Sequence, residues 1–273
     1  MKTNALLVFL TLILFVPNFL NRDINHNETF NHKERYIPEL HAIKSINELE
    51  KIIDGITDEK GIKQTDPEYL LYVSYIISYR FFHGFSHWNL CQNWIAAVGE
   101  KISGIGLACK VQPDAIMKDD NAGCSQQALV MMEIFRRKKI NYRKLGFPHH
   151  YTLLAQANGK WYFLDPDMEP VMTLQQREFS SWKGVAGNIK PFYLNKSTKA
   201  EVDAHLGGDT QLATIGPINE VPAKNLRLFQ NITERLSKIL FIIPLLVWYY
   251  RIKKTIIIDN PEASFSGYRL FPA

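Results

Sequence analysis

Cysteine is scarce in this chain, with only Cys91, Cys109 and Cys124 among 273 residues. So few, and an odd number, exclude a small disulfide-stapled scaffold, and no two have the close spacing of a zinc-binding pair. No metal and no cofactor is expected. In an oxidising compartment, Cys91 with Cys109 is the pairing to test, which would leave Cys124 as a single thiol. Charge of one sign is also slight. The formal net charge is +5, and lysine and arginine are scattered apart from clusters at 136–139 and 251–254. No dense basic stripe can track phosphates, so nucleic acid is excluded as a partner. Repeats with a period of 20–50 residues and low-complexity tracts are absent. Uninterrupted apolar runs of about 20 residues, enough to span a bilayer, are absent too.

The chain does contain ample core material, at 46% hydrophobic and 12% aromatic residues. Wholesale disorder is excluded. Apolar residues concentrate at both ends. Residues 5–16 follow Lys2 and have the charged start and short apolar stretch of a secretory signal, but no clear cleavage site follows. Residues 1–22 therefore read as a removed signal or as an uncleaved anchor. Near the other end, residues 236–254 read as a membrane-spanning or interfacial helix, which Pro244 would kink. The cations at 251–254 favour a cytoplasmic carboxyl terminus, which places the middle of the chain on the far side of the membrane. Asn-x-Ser/Thr triplets at Asn27, Asn195 and Asn231 fit that placement.

Between the ends, residues 23–34 read as a polar linker, 35–225 as one globular domain and 255–273 as a tail. Helices are expected over 45–54, where Ser45 and Glu48 form a capping box, over 66–82 with Pro67 in the first turn, and over 88–102. A further helix should start at Cys124, because Ala128, Leu129, Met132 and Phe135 fall on one face after the turn at 119–123. It ends in the cations at 136–139, which read as a solvated helix terminus. Two β-rich runs, 150–156 and 160–165, flank Asn158-Gly159, a strong hairpin signal. Asp167 and Glu169, beside Pro166 and Pro170, read as a turn rather than a calcium site.

These elements can bring three reactive groups together. A thiol attacks as thiolate, and a helix amino terminus favours the anion while offering N–H groups to an oxyanion. Cys124 stands at such a start. His150 opens one hairpin strand and Asp165 closes the other, so the hairpin sets an imidazole beside a carboxylate, with a bulge or longer turn absorbing the unequal arm lengths. Nucleophile, base and orienter are then all present.

The motif Gly123-Cys124-Ser125-Gln126-Gln127-Ala128, the amphipathic helix after it, His150, and Gly159-Lys160-Trp161 running on to Asp165-Pro166 together resemble the core of the transglutaminase-like superfamily. The resemblance covers residues 121–167. It implies an α+β, papain-like fold in which a nucleophile-bearing helix packs on a small antiparallel sheet, with Cys124, His150 and Asp165 as a catalytic triad. The steps of 11 residues from His150 to Trp161 and 15 to Asp165 match shorter family members and favour His150 over His149. Thr152 and Leu154 depart from the aromatic and acidic residues common in the family. Trp88, Gln92 and Trp94 are the upstream oxyanion-hole candidates.

The function implied is thiol-dependent acyl transfer on a peptide or protein amide, as a cysteine protease, amidase or transglutaminase in a membrane-tethered, extracytoplasmic domain. Hydrolysis is favoured. The alternative is a non-catalytic interaction or scaffold module of the cell envelope.

Overall fold

Ser45 starts the first core helix as its sequence requires, its hydroxyl accepting the N–H of Glu48. The computed structural model describes residues 2–25, 36–194 and 197–259. In chain order the elements are α1 (Lys2–Phe15), α2 (Ile46–Glu59), α3 (Pro67–Arg80), α4 (Leu90–Ser103), α5 (Pro113–Ile116), α6 (Cys124–Arg137), β1 (Tyr142–Phe147), β2 (His150–Ala157), β3 (Lys160–Leu164), α7 (Leu174–Arg177), α8 (Phe179–Trp182), α9 (Ala186–Ile189), α10 (Lys199–Leu206), β4 (Thr214–Ile218), α11 (Lys224–Ile239) and α12 (Ile242–Asp259). The fold is α+β. Its four strands form one antiparallel sheet in the order β3-β2-β1-β4.

The chain divides into two compact units that interleave in sequence. Among the described residues, one holds 36–87, 109–194 and 197–227, the other 2–25, 88–108 and 228–259. Residues 88–108 cluster with residues 2–25 and 228–259.

In the larger unit the sheet is covered on both faces, because alternate strand residues are apolar on each side. Leu153, Ala155, Tyr162 and Leu164 pack with α2, α3 and α6, through Leu49, Ile77, Val130 and Phe135 among others. Leu145, Leu154 and Phe163 pack the opposite way, against Trp182, Ile189, Tyr193 and Val202. Burying such side chains, at about 1.5–3 kcal/mol each, holds the layers on both faces against the sheet. The cations ending α6 are not simply solvated. Arg136 and Arg137 bond Glu133, Arg137 also reaches Glu50, and Lys138 reaches Asp54, which ties α6 to α2.

The β2–β3 connection is the Asn158-Gly159 turn that the sequence calls for, both residues at positive φ (48° and 77°). Its register is regular from Ala157↔Lys160 to Leu153↔Leu164, without the bulge anticipated above.

In the other unit, α1 and α12 pack together and the rings of Phe15 and Phe241 meet edge-on at 4.8 Å. The apolar run expected over 236–254 is divided between α11 and α12. Pro244 does not kink a continuous helix but lies in the first turn of α12, where its missing N–H leaves no bond unmade. Among the described residues no helix is long and apolar enough to cross a membrane. At 14 residues, α1 is about 21 Å long, against roughly 30 Å of hydrocarbon. Leu6, Phe9, Leu12, Ile243, Leu246 and Tyr249 are all exposed on these helices. Cys91, Cys109 and Cys124 are all thiols, so the pairing of Cys91 with Cys109 is not found: the Cys91 sulfur turns to Asn89, and Cys109 lies beside Gln126. Asn27 and Asn195 lie outside the described residues, while Asn231 sits within α11.

Candidate active site

Cys124 is the first residue of α6, and the residue before it explains the position. A β-carbon on Gly123 would come within 2.7 Å of the Phe85 ring, so any larger residue there would push that partly exposed ring aside. The N–H of Gly123 donates to the side-chain oxygen of Gln126 at 3.2 Å. The Gln126 amide is otherwise committed to Ser86 and Lys110, which fixes the helix start to the segment before it. Cys124 is half-buried.

His150 follows a tight turn between β1 and β2, the last strand pair being Phe147↔His150. His149 falls in that turn and is exposed, whereas His150 is buried. By the hairpin register Asp165 would lie opposite Thr152, two residues from His150. His150 and Asp165 are thus diagonal neighbours on one face, within reach of an imidazole and a carboxylate without any bulge. Nε2 of His150 lies 2.7 Å from Oδ2 of Asp165.

That leaves Nδ1 of His150 for the thiol. Cys124 adjoins the imidazole, and its contact helps raise the pKa of the ring. One ligand atom from each of Cys124, His150 and Asp167 lies within 4.8 Å of the others.

Asp165 is fully buried and saturated. Besides His150 it accepts the Tyr193 hydroxyl at 2.7 Å and the Met168 N–H at 3.2 Å. Burial alone would raise its pKa, but these donors outweigh burial and hold the carboxyl below its ordinary value. For His150 burial pulls the other way, yet the Asp165 charge and hydrogen bond, with the Cys124 contact, hold the imidazole well above its usual pKa. Tyr193 is pushed up in turn, by burial and by the same carboxylate. Both shifts favour the charged imidazolium–carboxylate pair, the ring braced from behind by the carboxylate. The ring of His205 packs edge-on against it at 5.8 Å.

Two residues around the site were not foreseen as such. Tyr193, 28 positions after Asp165, has no motif to mark it. Asp167 is in the expected turn, but its side chain accepts from the Gln127 amide at 2.9 Å and lies 2.9 Å from Nδ1 of the half-exposed His83. Glu169 separates from it completely, bonding Arg177 and Ser74 in the core.

Of the oxyanion-hole candidates, Gln92 accepts the Asn89 N–H in the cap of α4 and Trp94 donates its indole N–H to Ser237, so both hold helices in place. Trp88 is buried. A cavity of about 560 Å³, lined by Ile56, Tyr72, Tyr75, Tyr79 and Met172 among others, includes none of the residues of the thiol site. Comparison with protein families, with curated proteins and with solved structures returns no match for this chain.

Proposed function

We propose that this protein is a thiol-dependent acyl-transfer enzyme acting on amides, with Cys124 as nucleophile, His150 as acid and base, and Asp165 as the residue orienting the histidine. The observation carrying this reading is that a single buried imidazole lies 2.7 Å from a carboxylate through Nε2 and within 4.8 Å of a helix-terminal thiol.

In the proposed cycle the Cys124 sulfur, its proton held on His150, adds to the amide carbonyl. The oxyanion is met by main-chain N–H groups of the first turn of α6. Collapse of the adduct breaks the C–N bond as His150 passes its proton to the departing amine. The thioester is then cleaved by water, deprotonated by His150, and the sulfur leaves as the acid is released. Water is the favoured acceptor, and an amine in its place would give a transglutaminase. Asp165 keeps Nδ1 aimed at sulfur throughout.

The order of elements, a cysteine-bearing helix followed by a His-led strand and a strand closing on Asp-Pro, supports a transglutaminase-like, papain-like assignment. The exposed apolar residues of α1 and α12 support attachment to a membrane surface, and the cations at 251–254 are the basis for placing the thiol domain outside the cytoplasm.

Iodoacetamide tests the reading. Cys124 should alkylate at pH 7 on the order of 10²-fold faster than Cys91 in the same chain, and His150→Ala should remove that advantage. Labelling no faster than an ordinary thiol, whatever residue 150 is, would leave the non-catalytic scaffold as the better account.

A further inference from the structure

The residues around the sulfur have a second capability that acyl transfer does not use. Cys124, His150 and Asp167 each present one donor atom, and the three lie within 4.8 Å of one another. Sulfur, imidazole nitrogen and a carboxylate oxygen form a mixed set that suits a borderline cation such as Zn²⁺, whereas Ca²⁺ and Mg²⁺ favour oxygen alone. In a tetrahedral zinc site the donors stand about 3.3–3.6 Å apart, from Zn–S of about 2.3 Å and Zn–N and Zn–O of about 2.0–2.2 Å. From separations of up to 4.8 Å, reaching that range takes a closure of about 1.2–1.5 Å, shared between the half-buried Cys124 and Asp167, whose side chain is almost fully enclosed.

The surroundings of each donor point the same way. A histidine that ligates through one nitrogen nearly always gives the other to a carboxylate or carbonyl. His150 does so, with Nε2 on the buried Asp165, itself bound by Tyr193. Ligating carboxylates are in turn held by hydrogen bonds, and Asp167 is held by Gln127 and His83. These bonds use two or three of its roughly four lone-pair positions, leaving it able to ligate. Three protein donors leave a fourth position for water, as in open zinc sites.

We infer that Cys124, His150 and Asp167 form a zinc-binding site superimposed on the thiol site, so that zinc reversibly switches off the proposed acyl transfer. This rests on the reading of Cys124 and His150 as nucleophile and base. The sulfur cannot attack a carbonyl while bound to the metal, and the imidazole nitrogen that would carry its proton is the one the metal occupies. Asp165 orients His150 for both purposes; Asp167, whose charge also helps raise the pKa of His150, is the ligand that only the metal would need.

The test uses the whole chain, stripped with a chelator and then given ZnCl2, with alkylation of the Cys124 peptide followed by mass spectrometry. One equivalent of zinc should slow alkylation of Cys124 at least tenfold and leave Cys91 unaffected, and chelator should restore the rate. Co²⁺ in place of zinc should give thiolate-to-cobalt charge-transfer absorption that Cys124→Ser lacks. Asp167→Asn, nearly isosteric and still able to accept from Gln127, should weaken zinc protection by roughly 10–100-fold. Unchanged alkylation at one equivalent, or protection undiminished in Asp167→Asn, overturns the inference. The two readings fail separately: a slow, His150-independent thiol in the metal-free protein defeats catalysis while stoichiometric zinc binding still stands, and a fast thiol indifferent to zinc does the reverse.

Discussion

Two buried ion pairs flank the short turn from Asp165 to Glu169, and only one of them has chemistry left over. Arg177 and Glu169 are both inaccessible to solvent. Their charges meet at 2.5 Å, and the remaining guanidinium donors go to the carbonyls of Phe163 and Pro170 while Ser74 takes the other Glu169 oxygen. His150 and Asp165 are buried as deeply and bonded as closely, but the second imidazole nitrogen faces a half-buried thiol. Burial and pairing perturb both pairs. The burial of Glu169 even raises its pKa, against the pull of Arg177. What separates a structural pair from a reactive one is a polar atom that points at something able to react.

The sharpest way to break the comparison is Glu169→Ala. Removing one member of a buried pair should destabilise the protein by roughly 3–5 kcal/mol, read from urea midpoints, while the alkylation rate of Cys124 in the folded fraction changes less than about twofold. A collapse of thiol reactivity in molecules that remain folded would mean that the two pairs act as one network. Tyr193→Phe should move both readings. It withdraws a hydrogen bond to a charged group, costing about 1.5–3 kcal/mol, and it should also slow Cys124 alkylation several-fold, because Asp165 then holds His150 less firmly. Equal stability and rate would show that Tyr193 merely fills space.

The smallest effect is in the pH dependence. The folded pKa of His150 lies above its unfolded value of about 6.5, so its stabilisation is complete below that pH and is lost as pH rises through the folded value. Asp165 is depressed below about 3.9, so its contribution is complete above that pH and is lost as pH falls through the folded value. The stability deficit of His150→Gln should therefore be greatest between roughly pH 4 and 6.5 and shrink on either side. A deficit independent of pH would assign the loss to packing alone.

Much of the site was readable in advance. The cap at Ser45, the start of α6 at Cys124 and the Asn158-Gly159 turn depend on residues a few positions apart, and such local preferences survive into the tertiary structure. The hairpin also predicted that His150 and Asp165 would meet, although by a diagonal contact rather than the anticipated bulge. Strands β1 and β4 were harder to see. β1 carries Arg143, Lys144 and Gly146 among its apolar residues, and β4 is mostly exposed, so neither shows the alternation that marks a half-buried strand. The basic cluster ending α6 looked solvated because its acidic partners on α2 lie more than 80 residues earlier.

What the sequence by itself determined was the chemistry on offer: a cysteine where a helix begins, a histidine and an aspartate at the two ends of a hairpin, and too little cysteine or clustered charge for other schemes. Tertiary structure alone decided which neighbours complete that chemistry. Tyr193 behind Asp165, and His83 and Gln127 around Asp167, come from separate segments, brought together by the apolar faces on both sides of the sheet. Spacing along the chain encodes contacts within a turn, a helix or a hairpin, whereas contacts between segments are set by packing, which no local pattern records.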